Sequence, residues 1–392
     1  MTFAAYVLLL AIAVPAVAAC AYLLLLTLLS QQLEPMSPRS RTLKFDLIVP
    51  AHNEASVIER TVSSLRKIDW PADRFRILVI ADNCTDATAA LARLAGATVL
   101  ERHDASLRGK GYALNFAFRS SREHAWADAV IVVDADAEVS SNLVAAFAAR
   151  IEGGVHAIQA HYGILNPLAS WRTRLITIAK ASFHIVRSRA RERMKLSCGI
   201  RGNGWCVTHE LLKNVPYQAY SLTEDLEYGI DIGLAGFRVA YVDEAHSNAE
   251  MVTDEKTAGT QRRRWEDGRF QLIRSRTIPL LLAAIRRADP VCFDLALDLM
   301  VLPLSYVTLN VLLLLGSALI AAHWRLASFS WVWVALACAM SLLAYVLRGW
   351  QLSGIGARGV FDLARAPVFL LWKVILMLRP RTEGWVRTDR EK

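Results

Sequence analysis

The sequence predicts an α/β domain with a parallel-stranded, nucleotide-binding topology, held between transmembrane helices. Three observations point there. The apolar residues of the 392-residue chain crowd towards its two ends. The middle alternates short β-rich runs with helical stretches, the pattern of βαβ units. Acidic and small residues follow three of the four strands.

The ends come first. Thr2 to Ser30 carry no charged side chain, and about 20 apolar residues suffice to cross a bilayer. Pro15 is tolerated there as a kink. Val17-Ala18-Ala19-Cys20 has the form of a lipoprotein cleavage sequence, but no Lys or Arg precedes it and the apolar run continues through Leu29, so it reads as a span and not a leader. Leu297 to Ala322 and Trp331 to Leu347 are two further runs of spanning or near-spanning length, a buried core helix being the alternative for the shorter. Phe361 to Leu378 is apolar but contains Asp362, Arg365 and Lys373, which suits an interfacial helix. The expected division is therefore a span over 1–30, a soluble domain over 31–287 with an interfacial helix near 257–287, two spans over 288–348, and an interfacial helix and tail over 349–392.

Lys and Arg gather on the cytosolic side of spans. Arg39, Arg41 and Lys44 follow the first span, Arg286 and Arg287 precede the second, and Arg348 and Arg358 follow the third, whereas the loop between the last two holds only Arg325. The soluble domain and the C-terminus are expected in the cytosol, at an inner or plasma membrane. Much of the net charge of +9 sits in Arg187 to Lys195 and Arg262 to Arg276, where basic helical faces suit lipid headgroups or solvent as well as they suit a substrate. The spans argue against nucleic acid as partner. The six cysteines show no metal-ligand or paired spacing and read as packing residues.

Within the soluble domain the strands are expected at Phe45 to Val49, Ile77 to Ile80, Thr98 to Leu100 and Ala129 to Val133, with helices at about 55–67, 87–94 and 112–121. In open α/β sheets ligands bind beyond the carboxyl ends of the strands. The first strand runs into Pro50-Ala51-His52-Asn53-Glu54, the second into Ala81-Asp82-Asn83-Cys84-Thr85-Asp86 and the fourth into Asp134-Ala135-Asp136. One Asp after a strand is usually a cap. Three clusters on one edge favour a site.

Asp134 and Asp136, two apart at the end of an extended run, can turn towards one hard cation such as Mg²⁺ or Mn²⁺, which would steady the charge on a leaving diphosphate. Arg108-Gly109-Lys110-Gly111 before a helix offers two cations and backbone donors to a diphosphate, and is equally a basic turn at a helix start. Neither the phosphate-loop pattern nor the G-x-G-x-x-G fingerprint is present, which removes the usual NTPase and dehydrogenase readings. Thr223-Glu224-Asp225 opens a helical stretch over 226–234; a base for an acceptor proton and a simple helix cap both explain it. Gln261, Arg264 and Trp265 fall at i, i+3 and i+4 and share one helical face, fit for a phosphate beside a sugar ring or for an interfacial anchor.

Taken in order, Val49 to Glu54, Asp82 to Asp86, Asp134-Ala135-Asp136, Thr223-Glu224-Asp225 and Gln261-Arg262-Arg263-Arg264-Trp265 resemble the family 2 glycosyltransferases of the GT-A fold, in the membrane branch of cellulose, chitin and hyaluronan synthases and ceramide glucosyltransferase. The resemblance covers about 45–269. It implies a GT-A (Rossmann-like) nucleotide-sugar-binding domain inserted between transmembrane helices. It implies further that Ala51, Asn53 and Glu54 border the nucleotide, Asp82 contacts the base, Asp134 the ribose and metal, Asp136 the metal, and Lys110 the diphosphate. Asp225 becomes the general base of an inverting displacement, with Asn203, Gly204, Glu224, Gln261, Arg264 and Trp265 at the acceptor and diphosphate. Two features depart from the pattern. Arg201-Gly202-Asn203-Gly204-Trp205 stands where related synthases carry a Cys-Gly loop, with Ser197-Cys198-Gly199 just upstream, and polymer synthases of this branch have more than three spans.

The expected activity is metal-dependent transfer of a sugar from a nucleotide-diphosphate sugar, UDP-linked by family precedent, to a growing envelope or extracellular polysaccharide. The expected partners are that donor, a saccharide or lipid-linked acceptor, membrane lipids, and a second copy or an export protein. The alternatives are a single transfer to a lipid-linked acceptor and a catalytically silent nucleotide-binding membrane subunit. The complete set Asp82, Asp134, Asp136 and Asp225 argues against silence.

Overall fold

A computed structural model describes the backbone of residues 2–251 and 255–365 and the side chains of 3–251 and 265–365. The described chain divides into two compact units: one of 2–31, Pro167–Ala190 and 298–365, the other of Gln32–Asn166 and Arg191–Leu297.

The larger unit is built on one mixed eight-stranded sheet: β1 (Phe45–Ala51), β2 (Phe75–Asp82), β3 (Thr98–Arg102), β4 (Ala129–Val132), β5 (Ala137–Val139), β6 (Ala157–Ile164), β7 (Trp205–Thr208) and β8 (Val239–Ala249). The spatial order is β3-β2-β1-β4-β7-β6-β8-β5. The first four strands in that order are parallel, as the alternation of strand and helix predicts. β7 then runs antiparallel to both β4 and β6. Its first residue, Trp205, pairs with Val132 at the end of β4. The loop before β7 is thereby brought to the carboxyl edge of the parallel strands.

Successive strand residues face opposite sides. Leu47 and Val49 of β1 join Val62, Leu65 and Phe147 in one core, while Ile48 joins Leu114, Phe118, Trp205 and Tyr228 in the other. Both faces of the sheet are covered, which is why its central strands are almost uniformly apolar.

In the smaller unit, helices Thr2–Leu28, Leu304–His323 and Ser330–Ser353 are long and apolar enough to cross a membrane. They pack on one another through Leu23, Leu314 and Ala335. One expectation shifts here. The apolar run from Leu297 is not a single helix: Pro290–Met300 ends short of Pro303, which caps the spanning helix from Leu304. Asp298 explains the break, because its carboxylate is buried against the guanidinium of Arg187 at 2.8 Å. Arg187 also donates to the Tyr345 hydroxyl, which donates to the carbonyl of Ser182. That carbonyl lies in a π-helical turn, Ala181–Val186, inserted between the α-helices Trp171–Lys180 and Arg187–Arg193. Helix Ala357–Leu363 covers the start of the expected interfacial segment, and the remainder of that segment lies outside the described residues.

Candidate active site

The parallel half of the sheet delivers three chain segments to one edge. After β1, Asn53 takes a left-handed conformation (φ 56°), one that asparagine tolerates better than most residues. Its side-chain oxygen accepts the Thr85 N–H at 2.7 Å, so the turns after β1 and β2 are tied together. Ala51 is buried, and its carbonyl accepts from the Cys84 thiol. The Glu54 N–H donates to the Thr88 hydroxyl at 2.7 Å, and the imidazole of His52 contacts the carbonyl of Asp82 at 2.7 Å.

Asp82 ends β2 almost fully buried, and Arg102 at the end of β3 pairs with it at 2.6 Å. Arg102 was not singled out from the sequence. It also donates to the carbonyl of Leu107 and lies over the ring of Tyr112, which stacks on Tyr220 with centroids 4.4 Å apart. A half-buried arginine and two stacked tyrosines thus border the place where the base of a nucleotide is expected. The sequence signal was the length of β3, which reaches Arg102 and not merely Leu100.

Lys110 is the hub of the charged cluster. Gly109 precedes it with φ 124° and opens helix Lys110–His124. Its ammonium lies 2.5 Å from Asp134 and 3.9 Å from Glu224, and donates to the carbonyl of Gly202 at 2.7 Å. Burial pulls the Lys110 pKa down, but the carboxylates of Asp134 and Glu224 outweigh it and hold the group above its ordinary value. Asp134 and Asp136 sit in the turn between β4 and β5, at half-buried positions.

Glu224 and Asp225 begin helix Glu224–Leu234. Thr223 makes no side-chain cap there. Burial raises the pKa of both acids above the usual carboxylate range; Lys110 pulls each back, and Asp134 adds to the rise. Gly202, at φ 83°, fits beneath the Asp225 carboxylate, where a β-carbon would stand 3.1 Å from Oδ2. The loop from Arg201 to Gly204 thus touches both Lys110 and Asp225.

Asn203 lies at the back of the site. It is fully buried, and its side-chain oxygen accepts from the backbone N–H of Asp134 and from the Ser247 hydroxyl, each at 3.0 Å. It pins the turn that carries the aspartates. Gly204, at φ 66°, has no room for a β-carbon against Ser247. The side chains of Gln261 and Arg264 lie outside the described residues. Trp265 is 42% exposed on helix Glu255–Arg287, and Gly268, one turn further on, packs directly on Thr223. The Trp265 segment is therefore beside the start of the acid pair.

Among the described residues no three His, Cys, Asp or Glu side chains gather as a finished metal cage. The donor set nevertheless suits a hard divalent cation. Asp134 and Asp136 share the turn after β4, Glu224 and Asp225 stand near Asp134 and Lys110, and Mg²⁺ or Mn²⁺ takes its remaining ligands from water and a diphosphate.

Residues 43–268 match the family model described as glycosyltransferase like family 2. A β-monoglucosyldiacylglycerol synthase of Synechocystis sp. is 29% identical over 238 residues, 57% of this chain and 47% of that protein. The cellulose synthase 1 catalytic subunit of Komagataeibacter xylinus is 29% identical over 92 residues, 23% of this chain and 12% of its own length. The chain thus spans about half the length of the first of these relatives. A mannosyltransferase of Pyrobaculum calidifontis, solved with GDP-Man and Mn²⁺, superposes with a TM-score of 0.50 at 19% identity, covering 86% of this chain and 99% of that one. That likeness is one of fold.

Proposed function

We propose, from the premise that this chain belongs to the family 2 glycosyltransferases, that it transfers one sugar from a nucleotide-diphosphate donor to a lipid acceptor by a single inverting displacement. The observation that carries the reading is the gathering of Lys110, Asp134, Glu224 and Asp225 within one cluster at the carboxyl edge of the parallel strands.

In this reading the donor base lies by Asp82 and the Tyr112–Tyr220 stack, and the diphosphate reaches Lys110. Asp225 takes the proton of the acceptor hydroxyl as its oxygen bonds to the anomeric carbon. The bond from that carbon to the diphosphate breaks, and the diphosphate leaves with the electron pair. The raised pKa of Asp225 makes it a stronger base than a solvated aspartate, closer to the operating pH. Asn203 keeps the turn of Asp134 and Asp136 in register. A divalent cation held by Asp134 and Asp136 supplies Lewis-acid stabilisation of the departing diphosphate.

One observation favours a lipid acceptor: a relative matched over most of the family region is a monoglucosyldiacylglycerol synthase. The second reading is extension of a polysaccharide, supported by the exposed indole of Trp265, which can stack on a sugar ring, and by the shorter match to cellulose synthase. Under either reading the catalytic unit faces the cytosol, where basic residues flank the spans. Membranes holding the enzyme are supplied in turn with radiolabelled UDP-glucose, UDP-GlcNAc and their GDP analogues. A labelled lipid bearing one sugar supports the proposal; a ladder or long polymer overturns it in favour of the second reading.

A further inference from the structure

A cavity of about 440 Å³ lies between helix Lys110–His124 and the segment from Leu212 to Tyr220. Its wall is of two kinds. Phe118, Leu212 and Tyr217 supply buried apolar and aromatic surface. Arg119 and Arg122, three residues apart, share a helical face at the rim. Arg119 is weakly paired with Glu123 at 3.9 Å, and Arg122 makes no ion pair among the described residues. Tyr217, 5% exposed, lies between the two sites: it lines the cavity, while its buried hydroxyl, without a hydrogen-bond partner among the described residues, is raised in pKa by burial and by the nearby Glu224 and Asp225 carboxylates.

We propose that this cavity is a second binding site, for a phosphate ester carried on an apolar body, and that its occupancy is felt at the acid pair through Tyr217 and the strap that follows it. Two guanidinium forks on one face match the oxygens of a phosphate. The aromatic wall takes the apolar body, and the volume is that of a small-molecule site. The strap is fastened at both ends. The Asn115 amide donates to the Tyr217 carbonyl at 3.2 Å and to the Tyr220 hydroxyl. Ala219 lies so close to Gly111 that a β-carbon there would collide with its carbonyl oxygen. The Ser221 N–H donates to the Glu227 carboxylate at 3.1 Å, and Glu224 and Asp225 stand between those two residues. A ligand packed on Tyr217 therefore bears on the chain that sets the acids.

Binding stands apart from the proposed activity, whereas the coupling to the acid pair rests on it. The test uses the full chain in phosphatidylcholine nanodiscs, with phenyl phosphate as soluble probe and discs containing phosphatidylglycerol as the lipid source. Thermal unfolding and donor hydrolysis are followed in parallel. Phenyl phosphate is expected to raise Tm saturably and to change the hydrolysis rate. The double charge reversal R119E/R122E should weaken its apparent Kd by about tenfold or more. Gln218→Trp, which fills the cavity and leaves both arginines in place, should do the same. A response only to phosphatidylglycerol assigns the site to a lipid headgroup. No response to either probe, or responses in both variants equal to wild type, overturns the site. Binding without any change in hydrolysis overturns the coupling. An enzyme that never hydrolyses donor sinks the transferase reading, while the Tm series still decides the cavity.

Discussion

Replacing Lys110 with methionine keeps the length of the side chain and removes the one ammonium that Asp134 and Glu224 share, at 2.5 and 3.9 Å. Two unit charges about 4 Å apart at an effective dielectric of about 20 attract by about 4 kcal/mol, and taking one partner from a buried pair costs about 3 to 5 kcal/mol. All three side chains are less than one-third exposed, so solvent screening does not erase the term. Lys110→Met should therefore lose about 3 kcal/mol of stability at neutral pH. The pH dependence has a definite sign. Without the ammonium, Glu224 and Asp225 have folded-state pKa values raised still further, so the folded protein binds more protons than the unfolded chain and stability falls as pH rises through that window. The deficit should be large at about pH 8 and shrink at about pH 5. A divalent cation, supplying positive charge to the same carboxylates, should restore part of the Tm at the higher pH. Thermal unfolding of the full-length protein in detergent at both pH values, with and without Mg²⁺, measures this. Equal deficits at the two pH values, unmoved by metal, would show that Lys110 only fills space.

Asp225→Asn should lower transfer by about 10² to 10⁴ while nucleotide-sugar binding persists, and should raise Tm at neutral pH because a carboxylate held above its ordinary pKa opposes folding there; activity within about threefold of wild type removes the base role. Asn203→Ala deletes the acceptor for the Asp134 N–H and the Ser247 hydroxyl, so a loss of about 1 to 3 kcal/mol in denaturant unfolding and a fall in kcat are expected together. Asp136→Ala should weaken nucleotide-diphosphate binding in Mg²⁺ or Mn²⁺ far more than in EDTA by calorimetry, and equal losses would make Asp136 structural. A cysteine placed beside Arg325 should react with an impermeant thiol reagent on intact cells, and one beside Arg108 should not; labelling at Arg108 reverses the proposed orientation.

The parallel half of the sheet was legible because its strands are buried on both faces and read as unbroken apolar runs such as Ala129 to Val133. The second half was not. β6 contains Gln159, His161 and Tyr162, and β8 contains Asp243, Glu244 and His246, so neither shows a clean period. β7 is four residues long and is defined only by partners far away in sequence. The acids were legible in type and position, since they follow strand ends or open a helix, but their mutual arrangement depends on β7 running antiparallel and was not. That topology also gives Asn203 its place. Within the expected acceptor loop its side chain is fully buried and accepts from the Asp134 N–H. Arg102 escaped notice because an arginine closing an edge strand ordinarily points to solvent, and only the fold turns it onto Asp82. In the smaller unit, Asp298 and Pro303 within an otherwise apolar run were the local sign that the spanning helix begins later than its hydropathy does.

The π-helical turn at Ala181–Val186 has a consequence for how this chain tolerates changes of length. Such a turn holds one residue more than the helix around it needs, and each residue turns an α-helix by about 100°. Deleting a single position between 181 and 186 would regularise the hydrogen bonding locally and yet swing everything beyond it by about that angle. Arg187 would be carried off Asp298 and Tyr345, which breaks a buried ion pair. Sequence drift here is free to exchange side chains of similar size, but the phase of the helix is locked. The residue count between Trp171 and Arg187 is in effect a fixed dimension of the unit, set between the Arg174–Asp362 pair on one side of the turn and the Arg187–Asp298 pair on the other.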